Sequence, residues 1–425
     1  MTPAAHRVTT AQLGAAYPFV SEGGLGGRGV LIGRDLLGGS FTYDPFELYA
    51  SGALTNPNMV VIGQIGRGKS SFVKSYLWRQ SLFGRRAWVV DPKGEYADLA
   101  RAWGVEPVCL RPGGSVRLNP LDAAAGDDSA PGQAGRRRSE LLGSLGTACL
   151  GRPLQPRERA AVDLAVDTAA PPGSDRPTTL PAVVDALLAP TDEAARAIRT
   201  DTATLAADGR DVALELRRLV HGDLSGMFDG PTTPGVDLDA SLVVLDLSAV
   251  YGSDALGILM TCATAWLQAA LSRRDGQRRF VVVDEAWVIL TNLGVARWLQ
   301  SSWKLSRAYG VANVAVLHRL SDLAAAGSAG SEQVGLAQGL LSDSETRVVY
   351  GQPPGEVEAA GGLLGLTTTE ADLLPQLGRG VALWKVGQRS FLVEHHLAAT
   401  ERAIVDTDAS MLGPQGRPAD RAGRR

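Results

Sequence analysis

The stretch GQIGRGKSS, residues 63–71, satisfies the spacing GxxxxGK[ST] and sets the first chemical expectation: a loop that holds a polyphosphate. Gly63, Gly66 and Gly68 let successive backbone N–H groups converge on the phosphates, with Arg67 lining the same loop. Lys69 supplies a point charge between the β and γ phosphates, Ser70 offers its hydroxyl to Mg²⁺, and Ser71 continues the first helical turn behind it. A second group is Asp284 and Glu285 in FVVVDEAW. There an apolar run delivers two acids together. Asp284 is placed to hold the Mg²⁺ shell through water, and Glu285 to orient and polarise an attacking water. That pair separates hydrolysis from nucleotide storage. The chain has no NKxD-type guanine selector, so ATP is favoured over GTP. Asp91 and Glu95 in DPKGEY complete the acidic set, ordering catalytic water or a neighbouring subunit.

These residues need particular elements to carry them. MVVI, residues 59–62, is a short apolar strand running into the loop, and SSFVKSYLWRQSLF behind it has helical spacing, so the phosphates sit on a helix N-terminus. Trp88–Val90 is a second strand, ending in the acidic turn at Asp91. VEPVCL reads as a strand and RLNPLD as a turn, SLVVLDLSAV (241–250) and RFVVVDEAWVIL (279–290) resume the sheet, and VANVAVLH (311–318) and RVVYGQ (347–352) continue it. Near-continuous apolar strands alternating with helices predict an α/β fold with a mostly parallel sheet covered on both faces. GVLIGRDLLGGSFTYDPFELY, residues 29–49, reads as a hairpin ahead of the loop strand.

The domain expectation is an N-terminal extension over 1–28, a first motor segment over 29–122, a helical insertion over 123–228, a second motor segment over 229–405 and a disordered polar tail over 406–425. The insertion rests on runs such as ELLGSLGTACL and ERAAVDLAVDTAA, and is expected to be separable from a soluble nucleotide-binding core. Arg136, Arg137 and Arg138 form a basic run at its start.

Composition bounds the rest. At 425 residues the chain exceeds a single small domain. A net charge of −3 gives no global attraction to nucleic acid, so DNA stays open as a partner only through local basic patches. Cys109, Cys149 and Cys262 form no CxxC or Cys/His cluster, which points to a reducing compartment without structural zinc. The first twenty residues lack a signal-type apolar core, and the apolar stretch 255–271 carries Gln268 and is short for a span, so a cytoplasmic location is expected.

The set GQIGRGKS, VVDPKGEY, RLNPLD, HGDLSGMFDGPT, VVLDLS, VVVDEAW and SRAYGVANVAVLH resembles the HerA/FtsK superfamily of ring ATPases over residues 29–397, and within it the VirB-four (TraC-like) ATPases of conjugation and type IV secretion. The resemblance implies a RecA-like P-loop NTPase domain, an all-helical insertion and a homo-hexamer. It also implies energy supplied to a membrane-associated secretion channel, at the inner face of the membrane. Only 62 residues precede Gly63, where such ATPases carry a large N-terminal domain, so docking onto a membrane channel is expected only if another chain supplies that part. A HerA/FtsK-like DNA translocase, or a nucleotide-gated scaffold without turnover, are the alternative readings. His318 stands where the superfamily places a γ-phosphate-sensing Gln, and a ring ATPase draws an arginine finger from its neighbour. Arg347 in SETRVVYG is the expected finger, with Arg307 and Arg379 behind it.

Overall fold

Eleven strands form one sheet in the computed structural model, which describes residues 24–122, 133–170, 177–237, 239–251, 256–257, 259–263, 276–290, 293–319 and 332–405. In chain order they are β1 (Val30–Asp35), β2 (Gly38–Tyr43), β3 (Met59–Ile62), β4 (Arg86–Asp91), β5 (Val108–Cys109) and β6 (Leu242–Asp246). Then come β7 (Arg279–Val283), β8 (Val311–Leu317), β9 (Thr346–Tyr350), β10 (Val381–Val386) and β11 (Arg389–His395). The spatial order is β2-β1-β11-β10-β9-β3-β8-β7-β4-β6-β5. From β9 to β5 every neighbouring pair is parallel; from β9 to β2 every pair is antiparallel. The fold is that of a RecA-like P-loop NTPase, a mostly parallel sheet flanked by helices.

Burial explains the division. Every residue of β3, β7 and β8 is buried, as strands covered on both faces must be, whereas β1, β2 and β11 mix buried with exposed positions. One face packs on the Lys69–Ser81 helix, whose Phe72, Val73, Tyr76 and Leu77 share a cluster with Val61, Val89, Phe280 and Val314. Phe72 meets Trp384 edge-on at 5.2 Å and Tyr76 meets Phe280 at 5.4 Å. Such contacts add ~0.5–1.5 kcal/mol each beyond their burial, and they fix the rotation of the helix that starts at Lys69.

Between β5 and β6 the described residues contain the helices Gln133–Leu150, Pro156–Ala169, Leu180–Leu188, Asp192–Ala197 and Thr202–His221, and no strand. Leu142, Leu145, Val212 and Leu216 of this layer belong to one apolar cluster with Val90, Val243 and Val283 of the sheet. The layer therefore does not lift away without uncovering apolar surface on both sides, which opposes simple separability. Its two ends are tied together: Arg117 Nε donates to Asp229 Oδ1 at 2.7 Å, and the Thr232 hydroxyl to Asp122 Oδ2 at 2.8 Å. RLNPLD and GMFDGPT are thus two halves of one clasp.

Two expectations are corrected, and one element is new. The run 279–290 is not one strand, because β7 stops at Val283 and a helix begins at Ala286 after Glu285 turns left-handed. The hairpin of β1 and β2 leads into β3 in sequence only; in space it lies at the far edge, beyond β11. The β10–β11 hairpin is new, turning at Gly387 and Gln388 between Val386 and Arg389. The N-terminal residues 1–23, the Gly/Asp/Pro-rich start of the helical layer (123–132) and the tail read as disordered (406–425) lie outside the described residues.

Candidate active site

Register brings the chemistry to the carboxyl end of the sheet's central strands. Ile62 stands opposite Leu317, Val283 opposite Ala315, and Val90 opposite Val283, so the carboxyl ends of β3, β8, β7 and β4 lie side by side. They deliver the Gly63 loop, His318, Asp284 with Glu285, and Asp91, at the end where open α/β sheets bind ligands. Gly66 and Gly68 adopt φ of 77° and 107°, and a Cβ on Gly63 would fall 2.4 Å from the Tyr350 Cβ, so these positions need glycine. The loop is braced by neighbouring segments. Gln64 N–H donates to Gly351 O at 3.2 Å, Arg67 Nη1 to Leu377 O at 3.2 Å, and Gly380 N–H to Arg67 O at 3.0 Å. Ser70 and Ser71 stand half-buried on the first helical turn, whose N–H groups lack intrahelical acceptors.

Lys69 is buried, with its ammonium donating to Gly63 O, to Gln64 O at 3.2 Å, and to His318 Nδ1 at 3.1 Å. An ammonium only donates, so Nδ1 must accept and His318 carries its proton on Nε2, which donates to Glu285 Oε1. One imidazole thus joins the loop lysine to the acid beside it. Burial lowers Lys69 to about 8, against the opposing charges of Asp284 and Glu285. Glu285 sits at φ 50°, a costly conformation for a residue with a side chain. Its Oε1 also pairs with the Lys93 ammonium, and its Oε2 accepts from Trp287 Nε1 at 2.6 Å. Burial alone would raise its carboxyl; the hydrogen bonds from His318 and Lys93 outweigh that and hold it at about 2.

Asp284 and Asp91 both shift the other way, upward. Burial, reinforced by the charge of Glu285, lifts Asp284 to about 6, leaving a desolvated carboxylate that a cation would stabilise. Among the described residues no group of three or more His, Cys, Asp or Glu forms a metal cage. Ser70 and Asp284 fit instead a Mg²⁺ that takes most ligands from phosphate and water. Asp91, also pushed up to about 6 by burial, accepts from the N–H groups of Lys93 (3.2 Å), Gly94 (2.9 Å) and Tyr96 (2.9 Å). Its oxygens build the turn. Glu95 lies half-buried on the same turn, and its charge acts on Lys69 and Lys74.

Arg347 is placed differently from the expectation of an outward-aimed finger. It lies opposite Val60, near the start of β9, and its guanidinium donates to Leu341 O at 3.3 Å and Leu364 O at 2.9 Å. Those carbonyls are in the last turns of the Glu332–Ser342 and Val357–Leu364 helices, a capping role suited to a cation. Arg347→Ala is expected to cost ~1–3 kcal/mol of stability, seen as a lower unfolding midpoint, because two carbonyls lose a charged donor. On this reading the folded Arg347→Ala chain should itself turn over ATP; an inactive Arg347→Ala chain that regains turnover when mixed with Lys69→Ala chains, with verified subunit exchange, would restore the finger assignment. Arg307 is exposed on the Leu293–Tyr309 helix, and Arg379 is exposed beside Gly380, whose backbone lies 3.6 Å from where a Gly68 Cβ would be. Sequence reasoning passed over Lys93 and Trp287, although both lie inside the motifs DPKGEY and VVVDEAW.

The architecture is shared with solved structures. VirB4 of Thermoanaerobacter pseudethanolicus superposes with a TM-score of 0.70 at 22% identity, covering 89% of this chain and 100% of that one. The plasmid coupling protein TrwB in complex with ADP and Mg²⁺ superposes with a TM-score of 0.56 at 15% identity, covering 80% of this chain and 86% of that one. TrwB with a non-hydrolysable ATP analogue gives a TM-score of 0.55 at 14% identity, over the same shares of the two chains. No family model matches the sequence, and no curated protein matches it. The chain therefore has the fold of the VirB4 and TrwB structures. Among the described residues no helix is long and apolar enough to cross a membrane.

Proposed function

We propose that the chain is a Mg·ATP-hydrolysing motor of the conjugative and type IV secretion kind, acting as a ring, with a hexamer as the expected form. The observation that carries this reading is the convergence of Lys69, His318 and Glu285 at the carboxyl ends of adjacent strands. A storage or scaffold protein needs the loop but not a carboxylate held in a costly conformation beside it. The VirB4-like fold supports the secretion setting, at the inner face of the membrane.

In this reading the N–H groups of the loop and the Lys69 ammonium bind the β and γ phosphates. Ser70 and Asp284 are the residues that would hold Mg²⁺, which when bound neutralises charge developing on the phosphates. Glu285 orients the attacking water through a lone pair not used by its three donors, and His318 ties its position to that of Lys69. The test is turnover of ATP with and without single- and double-stranded DNA over a range of salt, with particle size measured in parallel. ATP turnover without DNA dependence, in ring-sized particles, supports the secretion motor. Strong, salt-sensitive stimulation by DNA favours a translocase, and nucleotide binding without turnover refutes the motor.

A further inference from the structure

Lys93 lies in a turn built to hold it still. Asp91 accepts three of the turn's N–H groups, and Gly94 sits at φ 72°, with a Cβ there meeting Ser248 Oγ at 3.1 Å. Pro92 and Tyr96 are buried on either side. The Lys93 side chain projects from this turn, 32% exposed, and its ammonium pairs with Glu285 Oε1. It also lies 3.3 Å from His318 Nε2, but that nitrogen carries the proton given to Glu285, so the lysine's bond goes to the carboxylate.

The consequence is a division of charge. Two lysines flank one imidazole and one carboxylate stands beside it, yet Lys69 donates to two carbonyls and an imidazole nitrogen, all without net charge. Glu285 is paired with Lys93 instead. A carboxylate this close to a phosphate-binding lysine competes with phosphate for it, and a cation on the far side removes that competition. We propose that Lys93 is a positioning residue that holds the Glu285 carboxylate away from Lys69, keeping Lys69 available to the phosphates of a nucleotide while Glu285 stays aimed for water. This gives DPKGEY one purpose: Asp91, Gly94 and Tyr96 shape a turn whose output is the Lys93 ammonium.

The inference rests on the nucleotide reading of the site, so its test is binding rather than turnover. The affinity of a fluorescent ATP analogue with Mg²⁺ is measured for wild type, Lys93→Ala, Lys93→Arg, Glu285→Gln and the Lys93→Ala/Glu285→Gln double variant, with thermal unfolding as the control for folding. Lys93→Ala is expected to bind ~10-fold more weakly, because Glu285 is freed to pair with Lys69. Adding Glu285→Gln should restore affinity to within ~3-fold of the Glu285→Gln single variant, the non-additivity expected of coupled residues. Lys93→Arg should bind like wild type. Wild-type affinity in Lys93→Ala overturns the inference and leaves the motor reading intact. A double variant as weak as Lys93→Ala overturns it too, since Lys93 would then touch phosphate itself or support the fold. A chain that binds and shows this pattern without turnover keeps the inference and loses the motor.

Discussion

Lys69→Ala is expected to remove ATP turnover by at least ~10²–10³-fold, the loss typical when one preorganised donor is taken from a charged site. Nucleotide binding should weaken with it. The fold should survive, because the helix behind Lys69 is anchored by Phe72 and Tyr76 rather than by the lysine, and the loop stays braced at Gln64, Arg67 and Gly380. A companion pH series tests the same residue without mutation. Burial holds the Lys69 ammonium at about 8, so above that pH the free protein carries it mostly neutral, and phosphate must then be bound together with a proton. Wild-type affinity should accordingly fall as pH rises beyond 8, and the Lys69→Ala variant should lose that dependence. Turnover at wild-type level in Lys69→Ala discards the P-loop reading.

Much of this site is legible in the sequence because its signals are local. A four-residue apolar strand, three glycines and a lysine within residues 59–69 specify strand, loop and helix without help from distant chain. The same holds for β7 with its acid pair and for β8 with His318 at its end. What escapes is non-local or conformational. The sequence contains the run VALWKVGQRSFLVEH, with a Gly-Gln turn between two strand-like halves, yet only pairing with β9 and β1 makes it part of this sheet. Arg347 opens an apolar strand, as a finger would, but two helix ends from the segments before and after it take up the guanidinium. Lys93 sits in a motif noticed for its acids. Its meaning depends on Glu285, which reaches it only because β4 and β7 are neighbours. The left-handed turn at Glu285 carries no residue signature, since glutamate is not a residue that favours positive φ.

Glu285→Gln separates the two duties this residue has. As the group that orients water it should be needed for the chemical step and not for holding ATP, so turnover should fall ~10²–10⁴-fold with nucleotide affinity kept or improved. The structure explains why affinity should not suffer. The amide oxygen can still accept from Trp287 or His318, Lys93 is exposed enough to turn to solvent, and Lys69 keeps its bonds to Gly63 O, Gln64 O and His318. Loss of the carboxylate also removes an anion that competes with phosphate for Lys69. The opposite result has a definite meaning. Because Glu285 bonds to His318 and His318 to Lys69, a variant that loses ATP as badly as Lys69→Ala would show that the carboxylate maintains the phosphate loop through the imidazole. Its place in the chemistry would then fall to another residue. Single-turnover measurements beside equilibrium binding settle which duty fails, since a stalled but loaded enzyme and an empty one give the same steady-state rate and different occupancy.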